Sequence, residues 1–355
     1  MQKSPAPTAQ APCGKQSPVP KVIILRASHL ASAAPAAILC AMAAIVFAVS
    51  GCHGRSAPEP EGSSAPRPEG ARAPTGVTTK NLRGVWGTSD HDVWAVGDGG
   101  TIVHFDGQAW SLSKSGTDEN LTGVHGVAPN DVWVSSEKGA VLHWDGASWT
   151  QAGHAKGLTL LGIWVSGPKD VWAAGMDTEG ESGMIYRWDG SKWIDQGIPG
   201  ASSIWAISGT GPQDVWMVGS SQRGTGLVLH GNGAKFDVNG YDGPSVRGVW
   251  GSRADDAWVA PYEGPIQHWN GSAWSKATMP PSTPALLRIV GSGPDDVWAV
   301  GLGGGILRYH AGAWSASSSG TKQILWCVWP RTPDDAWAVG NGGTILHWNG
   351  SAWMR

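Results

Sequence analysis

Asp92-Val93-Trp94-Ala95-Val96-Gly97-Asp98-Gly99-Gly100-Thr101-Ile102-Val103-His104-Phe105-Asp106-Gly107 is the stretch on which the fold turns. Its first six residues read as a β-strand, Asp98-Gly99-Gly100 as a turn, Thr101–Phe105 as a second strand, and Asp106-Gly107 as a second turn. Working outward, Leu82–Trp86 reads as an apolar strand before it and Ala109–Leu112 as one after it. Four strands, A to D, therefore make one unit. Asp-Gly and Asn-Gly between apolar runs predict two-residue hairpins in which both central residues take positive φ. Such pairs recur at Asp145-Gly146, Asp189-Gly190, Asn232-Gly233, Asn270-Gly271 and Asn349-Gly350. No helical periodicity separates them.

The Asp that opens strand B recurs with Val or Ala and then Trp, at Asp92, Asp131, Asp170, Asp214, Asp256, Asp296 and Asp335. Successive Asp are 39, 39, 44, 42, 40 and 39 residues apart. Four antiparallel strands in each unit of this length predict propeller blades. The expected fold is all-β: a seven-bladed β-propeller of four-stranded blades over 76–355. The blades fall at about 82–119, 120–158, 159–200, 201–244, 245–283, 284–321 and 322–355. Strands B and C are apolar on both faces, as sheets sandwiched between neighbours require. All 23 Trp lie between Trp86 and Trp353, large rings suited to filling gaps between twisted sheets.

Charge separates two regimes. Residues 1–81 carry 8 Lys+Arg and 3 Asp+Glu, hence +5; residues 82–355 carry 17 and 25, hence −8. An acidic repeat region without a basic stripe argues against nucleic acid, whose phosphates call for clustered Lys and Arg. Lys3, Lys15, Lys21 and Arg26 precede an apolar run from Ala31 to Val49, the pattern of a signal peptide over 1–51. The run ends in Val49-Ser50-Gly51-Cys52, which resembles a bacterial lipobox. That resemblance implies lipidation of Cys52 and a lipid anchor to the membrane. With His53 rather than Asp after the Cys, it implies an exported outer-membrane lipoprotein facing periplasm or cell surface. An uncleaved bilayer-spanning anchor is the alternative reading. Residues 53–75 contain no aliphatic side chain larger than Ala and read, with Cys52, as a disordered tether over 52–75. Cys327 is then the one cysteine left in the repeats, in a strand A position that Gly84, Gly123, Gly162 and Gly248 hold elsewhere, and reads as a small buried hydrophobe.

Seven pseudo-equivalent Asp held apart around a ring cannot form one acid site; each is expected to cap its A–B turn through backbone hydrogen bonds. Strand C carries His104, His143, His230, His268 and His347, with Arg187 and Arg308 in the other two units. One His per blade, on the third strand outward, cannot converge on a zinc ion, so these read as side chains packed on a neighbouring Trp. No catalytic set, metal site or cofactor site is expected. The B–C loops of blades three and four are longer than the rest, around Asp177, Glu179 and Glu181 and around Gln222 and Arg223; these five residues are the candidate binding rim. The segment before blade one, residues 75–80, is expected to lie beside strand C of blade seven, near Ile345–Trp348, extending or replacing its short strand D and closing the ring.

The repeat resembles BNR/Asp-box-like and WD-repeat-like propellers, and most closely the Gly/Trp-rich repeats of bacterial lipoproteins. The residues that carry this are Asp-Val-Trp-Ala-Val-Gly and the turns such as His347-Trp348-Asn349-Gly350. A true Asp-box places Ser-x-Asp-x-Gly-x-Thr-Trp at the C–D turn, and here only Trp-Asp/Asn-Gly-x-x-Trp is present, which weighs against sialidase chemistry. The expected function is a membrane-anchored, non-enzymatic recognition or scaffold module in the cell envelope, binding a protein or glycan. A glycoside hydrolase or lyase on the same scaffold is the alternative, and would need two carboxylates in the central funnel.

Overall fold

Short runs of β-branched and aromatic residues punctuated by glycine leave residues 76–355 no element longer than a strand. The computed structural model describes residues 76–355 apart from Pro199, together with Met1. Among the described residues there are seven four-stranded antiparallel sheets, each in the order A-B-C-D. In blade one, strand A is Leu82–Ser89, B is Asp92–Gly97, C is Thr101–Phe105 and D is Trp110–Lys114. Strands B and C fall on the expected residues, strand A runs on to Ser89, and strand D starts and ends later. The expected signal peptide, tether and Cys52 lie outside the described residues.

Strand A of every blade packs against strand A of its neighbours, including blade one against blade seven. The A strands are therefore innermost and surround a central channel. Antiparallel order puts the B–C turns and D–A connections at one end of it, and the A–B and C–D turns at the other.

The core lies between the blades. Seven buried clusters each combine side chains of two successive sheets, such as Trp94 and Val96 of blade one with Leu121 and Val134 of blade two. The Trp of strand B reaches into the aromatic pair at the C–D turn of the next blade. Trp94 meets Trp144 and Trp149 at 5.2 and 5.4 Å, and Trp337 of blade seven meets Phe105 and Trp110 of blade one at 5.1 and 5.4 Å. Edge-to-face geometry of this kind adds to the area buried. The ring thus closes with the same contact that joins neighbours.

The C–D turns differ from expectation. In blade one the register runs Phe105↔Trp110, which leaves four turn residues, and of these Gly107 has positive φ. Asp106 Oδ1 accepts the N–H groups of Gln108 and Ala109 at 2.9 Å, so its side chain replaces the second left-handed residue. Asp145, Asp189, Asn232, Asn270 and Asn349 repeat this. A two-residue turn occurs in blade six, where Ala311 and Gly312 both have positive φ.

The B–C turn of blade one is a short 3-10 turn with Gly99 and Gly100 at φ 63° and 70°. A Cβ on Gly100 would stand 1.9 Å from the Thr117 carbonyl oxygen of the D–A connection. Blade seven uses the segment before blade one in that role: a Cβ on Gly343 would stand 1.9 Å from the Thr78 carbonyl oxygen. Val77 and Ile345 both pack against the cluster that joins blades seven and one. Residues 76–80 therefore lie beside blade seven, but at its B–C turn, and they neither extend nor replace its strand D, which is the chain's own Trp353–Met354.

Candidate functional site

The repeated Asp carboxylates are consumed within their own blades. Asp92 sits where strand B leaves the A–B turn, so its carboxylate faces strand C and the end of strand A together. Its Oδ1 takes His104 Nε2 at 2.6 Å and Trp94 Nε1 at 3.1 Å, and its Oδ2 takes the Thr88 hydroxyl at 2.5 Å. The His104 ring stacks on Trp94 at 4.0 Å. The partners are side chains, which corrects the expectation of backbone capping: strand C brings a donor to the carboxylate that no local turn could supply. His143, His230, His268 and His347 pair likewise with Asp131, Asp214, Asp256 and Asp335 at 2.6–2.8 Å. Arg187 and Arg308 take the same place on Asp170 and Asp296 and cover Trp172 and Trp298 at 4.9 and 4.7 Å. Burial pushes the Asp92 and Asp214 carboxyls up, but hydrogen bonds from the His and the Thr, with the charge of the His, hold both below the usual carboxylate range. Each His serves its own blade.

What remains free surrounds the channel. In all seven blades strand A breaks register toward its B–C end, between Leu82 and Gly84 in blade one, Leu160 and Gly162 in blade three, and Ile204 and Ala206 in blade four. Such a bulge leaves one residue out of the ladder and re-aims its side chain. The seven residues are Arg83, Thr122, Leu161, Trp205, Arg247, Leu287 and Trp326, all half-exposed beside buried neighbours. Their contacts fall at the B–C end. Arg83 Nε donates to Asp98 at 2.5 Å, and Trp326 Nε1 donates to Asn341 at 2.7 Å. Arg247 is sandwiched between Trp205, 3.5 Å from the ring centroid, and Tyr262 of its own B–C loop, 4.9 Å away. Burial lowers the Arg247 pKa to about 10, so it stays charged at neutral pH.

Below this ring the next strand A residue is Gly, Ala or Cys in six blades, because neighbouring A strands nearly touch: a Cβ on Gly84 would stand 3.1 Å from the Val124 amide nitrogen. Cys327 is one of the six and is buried and free, as expected. Blade six has Arg288 there. Burial and the charge of Arg288 push His125 of blade two down to about 3.

The expected rim residues lie on this same B–C face. Asp177 ends strand B of blade three and accepts the Glu181 N–H at 2.8 Å; Glu179 and Glu181 are exposed. Gln222 and Arg223 are exposed at the tip of the blade-four loop, where the Gln222 N–H donates to the Gly200 carbonyl at 2.9 Å. Both long loops are hairpin extensions, and their side chains are not joined into one cluster. Sequence reasoning missed the bulge ring. Its one signal is a position in strand A that varies freely between a fixed aliphatic residue and a fixed small one.

No protein-family model matches the chain, and no curated protein matches it. Solved structures do. "YCF48 bound to D1 peptide" is similar at 19% identity and TM-score 0.62, covering 76% of this chain and 94% of that one. "YCF48 from Cyanidioschyzon merolae" is similar at 16% identity and TM-score 0.59, covering 77% and 96%. The WD40 β-propeller domain of Doa1 is similar at 12% identity and TM-score 0.61, covering 76% and 92%. At these identities the likeness establishes the seven-bladed, WD-repeat-like fold and stops there.

Proposed function

We propose that this chain is a non-enzymatic recognition or scaffold propeller that binds a protein segment over the B–C mouth of its channel. One observation carries the reading: every repeated Asp is spent on the His or Arg of its own blade, while the bulge ring keeps half-exposed Trp and Arg side chains around the channel. YCF48 has been solved with a peptide, which supports a protein partner. The hydrolase alternative is disfavoured because no strand A segment contains Asp or Glu, leaving the inner wall without a carboxylate pair. Lipidation at Cys52, anchoring in the envelope through the tether, and the BNR- and lipoprotein-type kinship belong to the same proposal, on the residues that suggested them. Asp177, Glu179, Glu181, Gln222 and Arg223 are proposed to flank the bound segment.

Peptide and glycan arrays probed with the full-length protein test this. Peptides are expected to bind, and Trp205→Ala or shortening both long loops is expected to remove binding without unfolding. Turnover of a chromogenic glycoside, retention of glycans alone, or binding indifferent to both changes would overturn it.

A further inference from the structure

The repeat region carries a net −8, yet the wall of its channel is cationic. The seven A strands contain no Asp or Glu, and Arg83, Arg247 and Arg288 all belong to them. Arg83 is neutralised by Asp98. Among the described residues neither Arg247 nor Arg288 pairs with a carboxylate or donates a hydrogen bond, and the Nε of each is buried without a partner. The two are neighbours: a Cβ on Gly248, the residue after Arg247, would stand 3.2 Å from the Arg288 Cα. Blades five and six thus bring two uncompensated guanidinium groups to one side of the channel. Leaving such groups half-buried and unpaired costs stability, and a ligand carboxylate would remove that cost through charge-assisted hydrogen bonds.

We propose that the channel between Arg247 and Arg288 binds a carboxylate side chain of a peptide, with Trp205 and Tyr262 holding the Arg247 guanidinium plane in place. This rests on the protein-recognition reading above and names the chemistry of its anchor. The aromatic sandwich restricts Arg247 to a narrow range of planes, which suits fork-to-fork pairing with a carboxylate. Exposed Glu179 and Glu181 on the same face disfavour a polyanion, so the complement is one acidic residue in an otherwise neutral or basic segment.

The probe is a capped pentapeptide, Gly-Gly-Glu-Gly-Gly, against its Gln counterpart, titrated into full-length protein with ¹⁵N-labelled tryptophan. The Trp205 indole resonance is assigned through Trp205→Phe. The Glu peptide is expected to shift that resonance with at least tenfold higher affinity than the Gln peptide. Arg247→Gln should reduce it to the Gln level, Arg247→Lys should retain a part, and Arg253→Gln, an exposed Arg at the far end of the same strand, should change nothing. Should Arg247→Gln prove unfolded by its indole spectrum, Arg288→Gln provides the same comparison. Equal binding of both peptides, or loss on Arg253→Gln alone, would overturn the assignment. So would displacement by equimolar inorganic phosphate, which marks a general anion site. If array peptides without acids bind at Trp205 while the Glu pentapeptide does not, the carboxylate assignment fails and protein recognition stands.

Discussion

Replacing Val127 by Thr should stabilise this protein, and the repeat itself says why. Four residues before the strand B Asp, six blades carry Thr88, Ser166, Thr210, Ser252, Ser292 or Arg331, and each donates to the second carboxylate oxygen. Blade two has Val127, 42% exposed, at the same register break. Asp131 Oδ1 is served by Trp133 at 2.6 Å and His143 at 2.8 Å, but its Oδ2 is buried with no partner. A hydrogen bond to an ionised group contributes roughly 1.5–3 kcal/mol, and an exposed hydroxyl gives up some hydration to make it. The net gain should be about 1–2 kcal/mol. Val and Thr have nearly the same shape and strand preference, so little else changes. The assay is the urea midpoint at constant m-value, with Val127→Ala as the variant that lacks the hydroxyl. In thermal melts the shift should be about 2–6 °C for a domain of this size. If Val127→Thr and Val127→Ala unfold at the same midpoint, the paired-oxygen account of the Asp network is wrong.

Acid should weaken the same network. Asp92 and Asp214 are held below the usual carboxylate range in the native protein, so their contribution is complete at higher pH and is lost as pH falls through those lowered values; Asp214→Asn should flatten that part of a stability–pH profile. Trp216→Ala removes a fully buried ring that stacks on His230 at 3.8 Å, and should cost about 3–5 kcal/mol by denaturant unfolding. A chain starting at Leu82 loses Val77 and Thr78 from the closure and should be about 1–2 kcal/mol less stable than one starting at Gly76, the scale of one half-buried aliphatic side chain; equal midpoints would deny the closure any weight. Cys52→Ala should abolish acyl labelling and leave an unprocessed precursor, and unchanged labelling would refute lipidation there.

By itself, the sequence determined the number of blades and the strands within them. Both follow from local rules: Asp-Val-Trp and glycine turns recur at a near-constant interval, and the short apolar runs between those turns read as strands. It also placed the strand C His beside a Trp, since two adjacent antiparallel strands must align them. Tertiary structure alone decided the rest, because it depends on residues dozens of positions apart. The carboxylate of Asp92 looks like a turn cap from its neighbours in sequence, yet the geometry of strand C hands it to His104. Nothing local to Arg247 announces Trp205 of the previous blade or Arg288 of the next one. Those pairs exist because curling seven sheets into a ring brings every first strand to one axis. The bulge in each A strand then turns one side chain toward that axis, and the composition of the ring is visible only once the circle is closed.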